Sequence, residues 1–451
     1  MKTVFVVGAG PAGLFAAQKI AQAGHTVVVF NRDIKPGGLA EYGIYPVKDK
    51  MKFGLRKQFA KIFALPNVYY FGGVKVGTEC PLKIEDLRQF NPSAMLFSVG
   101  AQGTKSLGLP GENAKGVYSA KDFVYFYNQL PPFASQDFST GKRIAIVGMG
   151  NVMVDIARWV MQDDPNRVTE EVIVVARRGP FEAKFDEKEI AHLEEHLDQD
   201  EFRAEVERIK DKLAAVGQDP SKIADENFPF LKKPAYVRKK PGIRFRFLCS
   251  PKEIHAGPDG RINRLTVTEN LLVAKGSGTA AKATEQTTDL DVDTMIFAIG
   301  DAHDPKVGLP MGPEGYATRP PAEPGKPVYQ VYDPATGKDL EGVYVGGWAR
   351  RASEGLVGIA RHDGEVAAAE VLQYLEKASE QAATSPADIQ RNLERRGLRP
   401  VNKADLELLD AAADREAKAR GLGFFKFSDN ETMLKVIAGE KAKKNELVSA
   451  D

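Results

Sequence analysis

The chain has 451 residues, 43% of them apolar and 27% charged, with a formal net charge of +1. That length exceeds what one hydrophobic core organises and predicts two domains or more, while the balanced charge means that any charged partner must be met by a local patch. The only cysteines, Cys80 and Cys249, exclude a CxxC dithiol and a cysteine-ligated iron–sulfur cluster, which needs about four thiolates.

The chain enters an apolar strand at Thr3–Val7 with no signal or transit features before it. No stretch approaches the ~18 apolar residues of a membrane span, so the expected setting is cytoplasmic. Gly8-Ala9-Gly10-Pro11-Ala12-Gly13 follows the strand, then a helical pattern from Leu14 to Ala23. Gly24 stops that helix, and Thr26–Phe30 makes a second strand. The same unit recurs at Arg143–Val147, Gly148-Met149-Gly150-Asn151, a helix through Asp155, Arg158 and Trp159, and a strand at Val172–Ala176. Each copy later closes with an apolar strand running into glycine, at Ala94–Ala101 and Met295–Asp301.

A strand, a GxGxxG turn and a helix form the dinucleotide fingerprint. The first glycine permits the reversal, the second admits a pyrophosphate to the backbone N–H groups, and the third lets helix and sheet pack closely. The helix N-terminus then offers unpaired N–H groups and partial positive charge to the phosphates. The second copy carries Met153 in place of the third glycine. At the end of the second strand an acid bonds a ribose 2′-OH, whereas arginine accommodates a 2′-phosphate. The first copy has Asn31 there, a weaker ribose partner than a carboxylate. The second has Arg177-Arg178-Gly179-Pro180, which favours NADP(H) over NAD(H).

These segments, with Gly37-Gly38-Leu39, Tyr42–Pro46, Phe245–Pro251 and Val343–Gly358, resemble the adrenodoxin-reductase type of ferredoxin–NADP⁺ reductase. The resemblance implies an α/β chain with two Rossmann-type domains, the NADP domain inserted into a split FAD domain. The expected boundaries are 1–103 and 343–376 for FAD, 104–342 for NADP(H), and a C-terminal helical appendage over 377–451. It implies that Gly8, Gly10, Pro11, Ala12 and Gly13 face the FAD pyrophosphate and that Gly38 and Leu39 lie along the cofactor. Trp348, Gly355, Leu356 and Val357 are implied near the isoalloxazine. NADP(H) is implied at Gly148, Gly150, Asn151, Val152, Arg177, Arg178 and Glu189.

Three positions depart from the family pattern. Lys48 and His192 replace a histidine and its acidic partner, and Ala352-Ser353-Glu354-Gly355 replaces a Gly-Pro-Thr-Gly loop. Lys48, His192 and Glu354 are therefore candidates for tuning charge near the flavin. Hydride transfer needs orientation more than an acid or base, so none is expected to be an obligatory proton carrier.

A basic run, Lys232, Lys233, Arg238, Lys239, Lys240, Arg244 and Arg246, is the expected face for an acidic ferredoxin or flavodoxin. Arg244–Phe247 alternates like a strand, so its arginines need not all face outward. Beyond residue 377, Ser385-Pro386 and Asn402/Asp405 predict two helices, the second ended by Gly421, before a Lys/Glu-rich tail that should fray. Two further functions stay open on the sequence: an electron-input flavoprotein for a dedicated partner enzyme, and a non-enzymatic dinucleotide sensor.

Overall fold

A computed structural model describes the chain apart from residues 235, 324, 353–356 and 451 and the side chains of 447–450. The chain divides into two compact units. The first holds Met1–Thr104, Tyr125–Ser135 and Gly300–Asp451; the second holds Lys105–Val124 and Gln136–Ile299.

The first unit begins β1 (Thr3–Val7), α1 (Pro11–Gln22), β2 (Thr26–Asn31), α2 (Leu39–Tyr42), α3 (Asp49–Phe63), β3 (Val68–Gly72) and, further on, β4 (Ala94–Phe97). Val4 to Val7, Val27 to Phe30 and the whole of β4 are buried. Such unbroken apolar runs belong to parallel strands covered on both faces. β1 pairs in parallel with β2 and β4, and β2 with β3.

The second unit repeats the scheme with β5 (Val117–Ser119), β6 (Arg143–Val147), α4 (Asn151–Arg158), β7 (Glu171–Val175) and β8 (Gly242–Arg246). An antiparallel sheet of β9 (Cys249–Ala256), β10 (Ile262–Lys275) and β11 (Gly278–Leu290) follows, before β12 (Thr294–Phe297) returns to the parallel sheet in the order β5-β12-β6-β7-β8.

The chain rejoins the first unit at Gly300, not at the expected 343. The reason is pairing distant in sequence. Asp301–Ala302 pairs with Gly103–Thr104. Next, β13 (Gln330–Asp333) and β14 (Lys338–Val345) extend the first sheet to β13-β14-β4-β1-β2-β3. The long helix α5 (Val357–Lys377) then packs on α1, where Gly364 is pressed so closely that a Cβ would lie 2.2 Å from the Ala12 carbonyl oxygen.

The C-terminal region holds three helices rather than two: α6 (Pro386–Arg395), α7 (Lys403–Ala419) and α8 (Asn430–Ala450). Ser385 and Asn402 cap the first two, and Gly421 takes φ +65° just past α7, as the sequence leads one to expect. α8 replaces the expected frayed tail. Asp429 accepts from the Thr432 N–H at its start, and Met433 and Ile437 enter the same apolar core as β1 and α1. This C-terminal helical region packs on the first unit's sheet: Gly72 and Val401 form an antiparallel bridge, and Leu406 and Leu409 share that core. No helix among the described residues is long and apolar enough to cross a membrane.

Candidate functional site

The two glycine turns are built alike, and the structure separates the roles of their glycines. Gly8 has φ +107° and lies so close to the neighbouring strand end that a Cβ would sit 2.5 Å from the Ser98 carbonyl oxygen. Gly13 packs against the same turn: a Cβ there would lie 2.0 Å from the Gly8 oxygen and 2.3 Å from Ser98 Oγ. Gly10 differs, since a Cβ on it would meet nothing within 4 Å. In the second unit Gly148 repeats Gly8, with φ +119° and a would-be Cβ 2.2 Å from the Ala298 oxygen. Gly150 repeats Gly10 and opens on free space. Met153, which stands where the first turn has its third glycine, is fully buried.

Each turn therefore presents an open second glycine at the start of a helix, the shape and polarity that a pyrophosphate requires. Pro11 and Ala12 are buried, and a Cβ on Gly347 would lie 2.5 Å from that of Ala12. They shape the turn by packing, while Gly10 is the position that opens outward. Gly38, at φ +50°, folds back until its own Cβ would lie 3.1 Å from Gly10 Cα, and Leu39 starts α2 there, partly exposed.

Asn31 has a different task from the expected ribose contact. Its Oδ1 accepts from the Ala9 N–H at 3.0 Å, and its Nδ2 donates to the Asp33 and Lys35 carbonyls at 2.8 and 3.1 Å. The amide is buried and spent on bracing the glycine turn.

Trp348 is half-buried in a short 3-10 turn over Gly347–Ala349 that sequence reasoning left without supports. Two residues hold it. His303, buried, contacts the Trp348 carbonyl oxygen through Nε2 at 2.9 Å. Asp363 accepts from the Gly347 N–H at 2.6 Å and from the Tyr329 hydroxyl at 3.1 Å, and it pairs with Arg350. Val357 opens α5 beyond the turn, whereas Glu354, Gly355 and Leu356 lie outside the described residues.

At the end of β7, Arg177 is exposed and Arg178 partly so. Neither has an ion-pair partner among the described residues, and Arg178 donates only to the Thr279 carbonyl, at 3.3 Å. Asn270 fixes the backbone beneath them by donating to the Arg177 carbonyl at 2.9 Å. Asn151 starts α4 and accepts from the Asp186 N–H at 2.8 Å, which ties the turn to the segment carrying Glu189. Val152 is 47% exposed beside it.

Residues 2–224 match the family described as pyridine nucleotide-disulphide oxidoreductase. The chain is 31% identical over 413 residues to the NADPH-ferredoxin reductase FprA of Mycobacterium tuberculosis, covering 84% of this chain and 85% of the relative. It belongs to the adrenodoxin-reductase-type ferredoxin–NADP⁺ reductases. The mitochondrial NADPH:adrenodoxin oxidoreductase of Bos taurus is 28% identical over 483 residues, 96% of this chain and 92% of that one. The structure of M. tuberculosis FprA in complex with NADPH superposes with a TM-score of 0.80 at 26% identity, covering 97% of this chain and 99% of the other.

For a reductase of this family the basic run at 232–246 is a correction. Almost every cation in it is neutralised within the second unit. Lys232 pairs with Asp225 at 2.7 Å, Lys233 with Glu194 at 2.6 Å, Arg238 with Glu201 at 3.1 Å and Lys239 with Glu195 at 2.5 Å. Arg244 pairs with Glu171 at 2.9 Å and Arg246 with Glu205 at 3.2 Å; Lys240 acts at longer range on Glu170. The face is a mosaic of ion pairs, not a positive patch.

The tuning candidates fall in different units. Lys48 precedes α3 in the first, and His192 is exposed on the second, where its carbonyl accepts from Gln162 at 3.1 Å.

The reductase also holds a buried charge cluster that the sequence did not announce. Arg56 grips the Glu41 carboxylate with two bonds of 2.7 Å, and Lys426 Nζ lies 2.7 Å from it. Lys52, 4% exposed, donates to Asn128 Oδ1 at 2.8 Å. Burial works to raise the Glu41 pKa, but Arg56 and Lys426 outweigh it and hold the carboxyl at about 2. Burial, reinforced by Lys426, lowers Lys52 to about 8. The unfolded chain, with Lys near 10.4, therefore binds more protons than the fold between about pH 8 and 10.4, so this lysine makes stability rise with pH across that window. Lys52→Met is expected to lose that rise, which urea unfolding at intervals across the window measures; an unchanged pH profile would refute the assignment.

Proposed function

We propose that the chain is an FAD-dependent reductase that takes electrons from NADPH and passes them singly to a ferredoxin or flavodoxin. FAD would lie in the first unit over Gly10, flanked by Gly38, Leu39 and Trp348. NADP(H) would lie in the second over Gly150, with Asn151 and Val152 at the helix start and Arg177 and Arg178 on the 2′-phosphate. When bound, the flavin supplies the conversion between a two-electron hydride and single electrons. The protein's part is to hold and orient. The open glycines admit the two pyrophosphates, and the Asp363 and His303 contacts fix the Trp348 turn. Lys48, His192 and Glu354 act in this proposal on the charge around the flavin and carry no obligatory proton. A cytoplasmic setting completes the reading, where the free thiols Cys80 and Cys249 would stay reduced.

The observation that carries the nicotinamide choice is the pair of guanidiniums at the end of β7, which have no acidic partner among the described residues in a unit where the arginines of β8 are ion-paired. A phosphate gains charge-assisted bonds there. Arg177→Ala with Arg178→Ala is expected to raise the KM for NADPH by about 10- to 100-fold, the worth of one or two such bonds, while leaving NADH nearly unchanged. Equal losses with both nucleotides would count against 2′-phosphate recognition.

A further inference from the structure

We propose that the acidic electron carrier docks on α3 of the first unit, not on the 232–246 face. The inference rests on the carrier part of the function proposed above.

α3 carries Lys50, Lys52, Arg56, Lys57 and Lys61 against a single acid, Asp49. The inward cations are engaged, Lys52 with Asn128 and Arg56 with Glu41. The other three face solvent. Lys50, Lys57 and Lys61 are all exposed, and none has a carboxylate within ion-pair distance among the described residues. At 100° per residue their spacings of seven and four place them within an arc of about 40°, along about 16 Å of one helix face. Gly54 lies in the same stripe with open space above it, so no side chain separates Lys50 from Lys57.

Beside the stripe, Val47, Met51 and Phe53 are 54%, 55% and 39% exposed, and Phe53 meets the edge of Phe424 with ring centres 5.9 Å apart. An apolar centre bordered by uncompensated positive charge suits a small acidic protein. The charges steer and orient the encounter, and the apolar side chains exclude water on contact. The surface is also joined to the proposed flavin site by a short stretch of chain. Gly38, which folds onto Gly10, leads through α2 and Lys48 directly into α3. The 232–246 face offers no such field, because its cations are matched by Asp225, Glu194, Glu195, Glu201 and Glu171.

The test compares two triple variants of the holoenzyme, Lys50→Glu/Lys57→Glu/Lys61→Glu and Lys232→Glu/Lys233→Glu/Lys239→Glu. Each is assayed with NADPH and three acceptors: a strongly acidic [2Fe–2S] ferredoxin, a flavodoxin, and ferricyanide, which needs no docking surface. The α3 variant is expected to raise the KM for the protein carriers by about tenfold or more at low ionic strength and to flatten their salt dependence, with ferricyanide reduction unchanged. The second variant is expected to change little. Carbodiimide coupling of wild type to ferredoxin should place its cross-links on Lys50, Lys57 or Lys61. Carrier kinetics unaffected by the α3 changes, equal effects of both triples, or cross-links confined to 232–246 would each overturn the assignment. So would α3-dependent binding to phosphatidylserine vesicles or to RNA with unaltered carrier kinetics. A wild type that reduces ferricyanide but neither protein carrier would defeat the carrier function itself, and the docking surface with it.

Discussion

Gly10→Val is expected to give a folded protein that holds no flavin. Gly10 has extended backbone angles, φ −77° and ψ −180°, which any residue adopts, and a Cβ there touches nothing of the protein within 4 Å. The added side chain therefore costs the fold little and occupies only the space proposed for the pyrophosphate. Gly13→Val has the opposite logic. Its Cβ would lie 2.0 Å from the Gly8 carbonyl, a backbone atom that cannot step aside without parting α1 from β1, so the protein should fail to fold. Circular dichroism with flavin absorbance separates the outcomes, and a Gly10→Val protein purified with a full complement of FAD would contradict the placement. Gly150→Val should by the same reasoning abolish reduction by NADPH while leaving the flavin bound, since Gly150 is also extended and open.

Asp363→Ala should cost the first unit about 3–5 kcal/mol, the usual penalty for removing one member of a buried ion pair. The Asp363 and Arg350 side chains are only 12% and 14% exposed. The same carboxylate also takes the N–H of Gly347, held at φ +65° against Ala12, and the hydroxyl of Tyr329. One truncation thus leaves a buried guanidinium without Asp363 and releases the turn that presents Trp348. The two tryptophans, Trp159 and Trp348, lie in different units. Urea unfolding of Asp363→Ala in a Trp159→Phe background, followed by Trp348 fluorescence, reads the first unit alone. Asp363→Asn, which keeps an acceptor for Gly347, should lose less; a loss under 1 kcal/mol for Asp363→Ala would show that the pair does not hold the turn.

What the sequence made legible is what local spacing encodes. The two glycine turns, the arginines after β7, and the caps at Ser385 and Asn402 each depend on residues a few positions apart, and they stand at the turns, strand end and helix starts that the spacing predicts. What it hid depends on partners distant in the chain. The return at Gly300 is set by strand pairing with Gly103–Thr104 and by the β13–β14 edge, neither of which has a local signature. The cations of 232–246 looked free because Glu194, Glu195 and Glu201 precede them by more than thirty residues. Asn31 occupied the ribose position by register, yet its amide turns inward to Ala9. α8 did have a signal, Asp429 followed by Met433 and Ile437 on one face, which the Lys/Glu-rich composition obscured.

The central claim, that NADPH reduces a flavin held here and a protein carrier reoxidises it, is tested by anaerobic rapid mixing of the purified protein while the flavin absorption band is followed. The account predicts rapid bleaching by NADPH, slower bleaching by NADH, and recovery of the band when oxidised ferredoxin is added. No flavin band, with none regained on adding FAD, or faster bleaching by NADH than by NADPH, would contradict it.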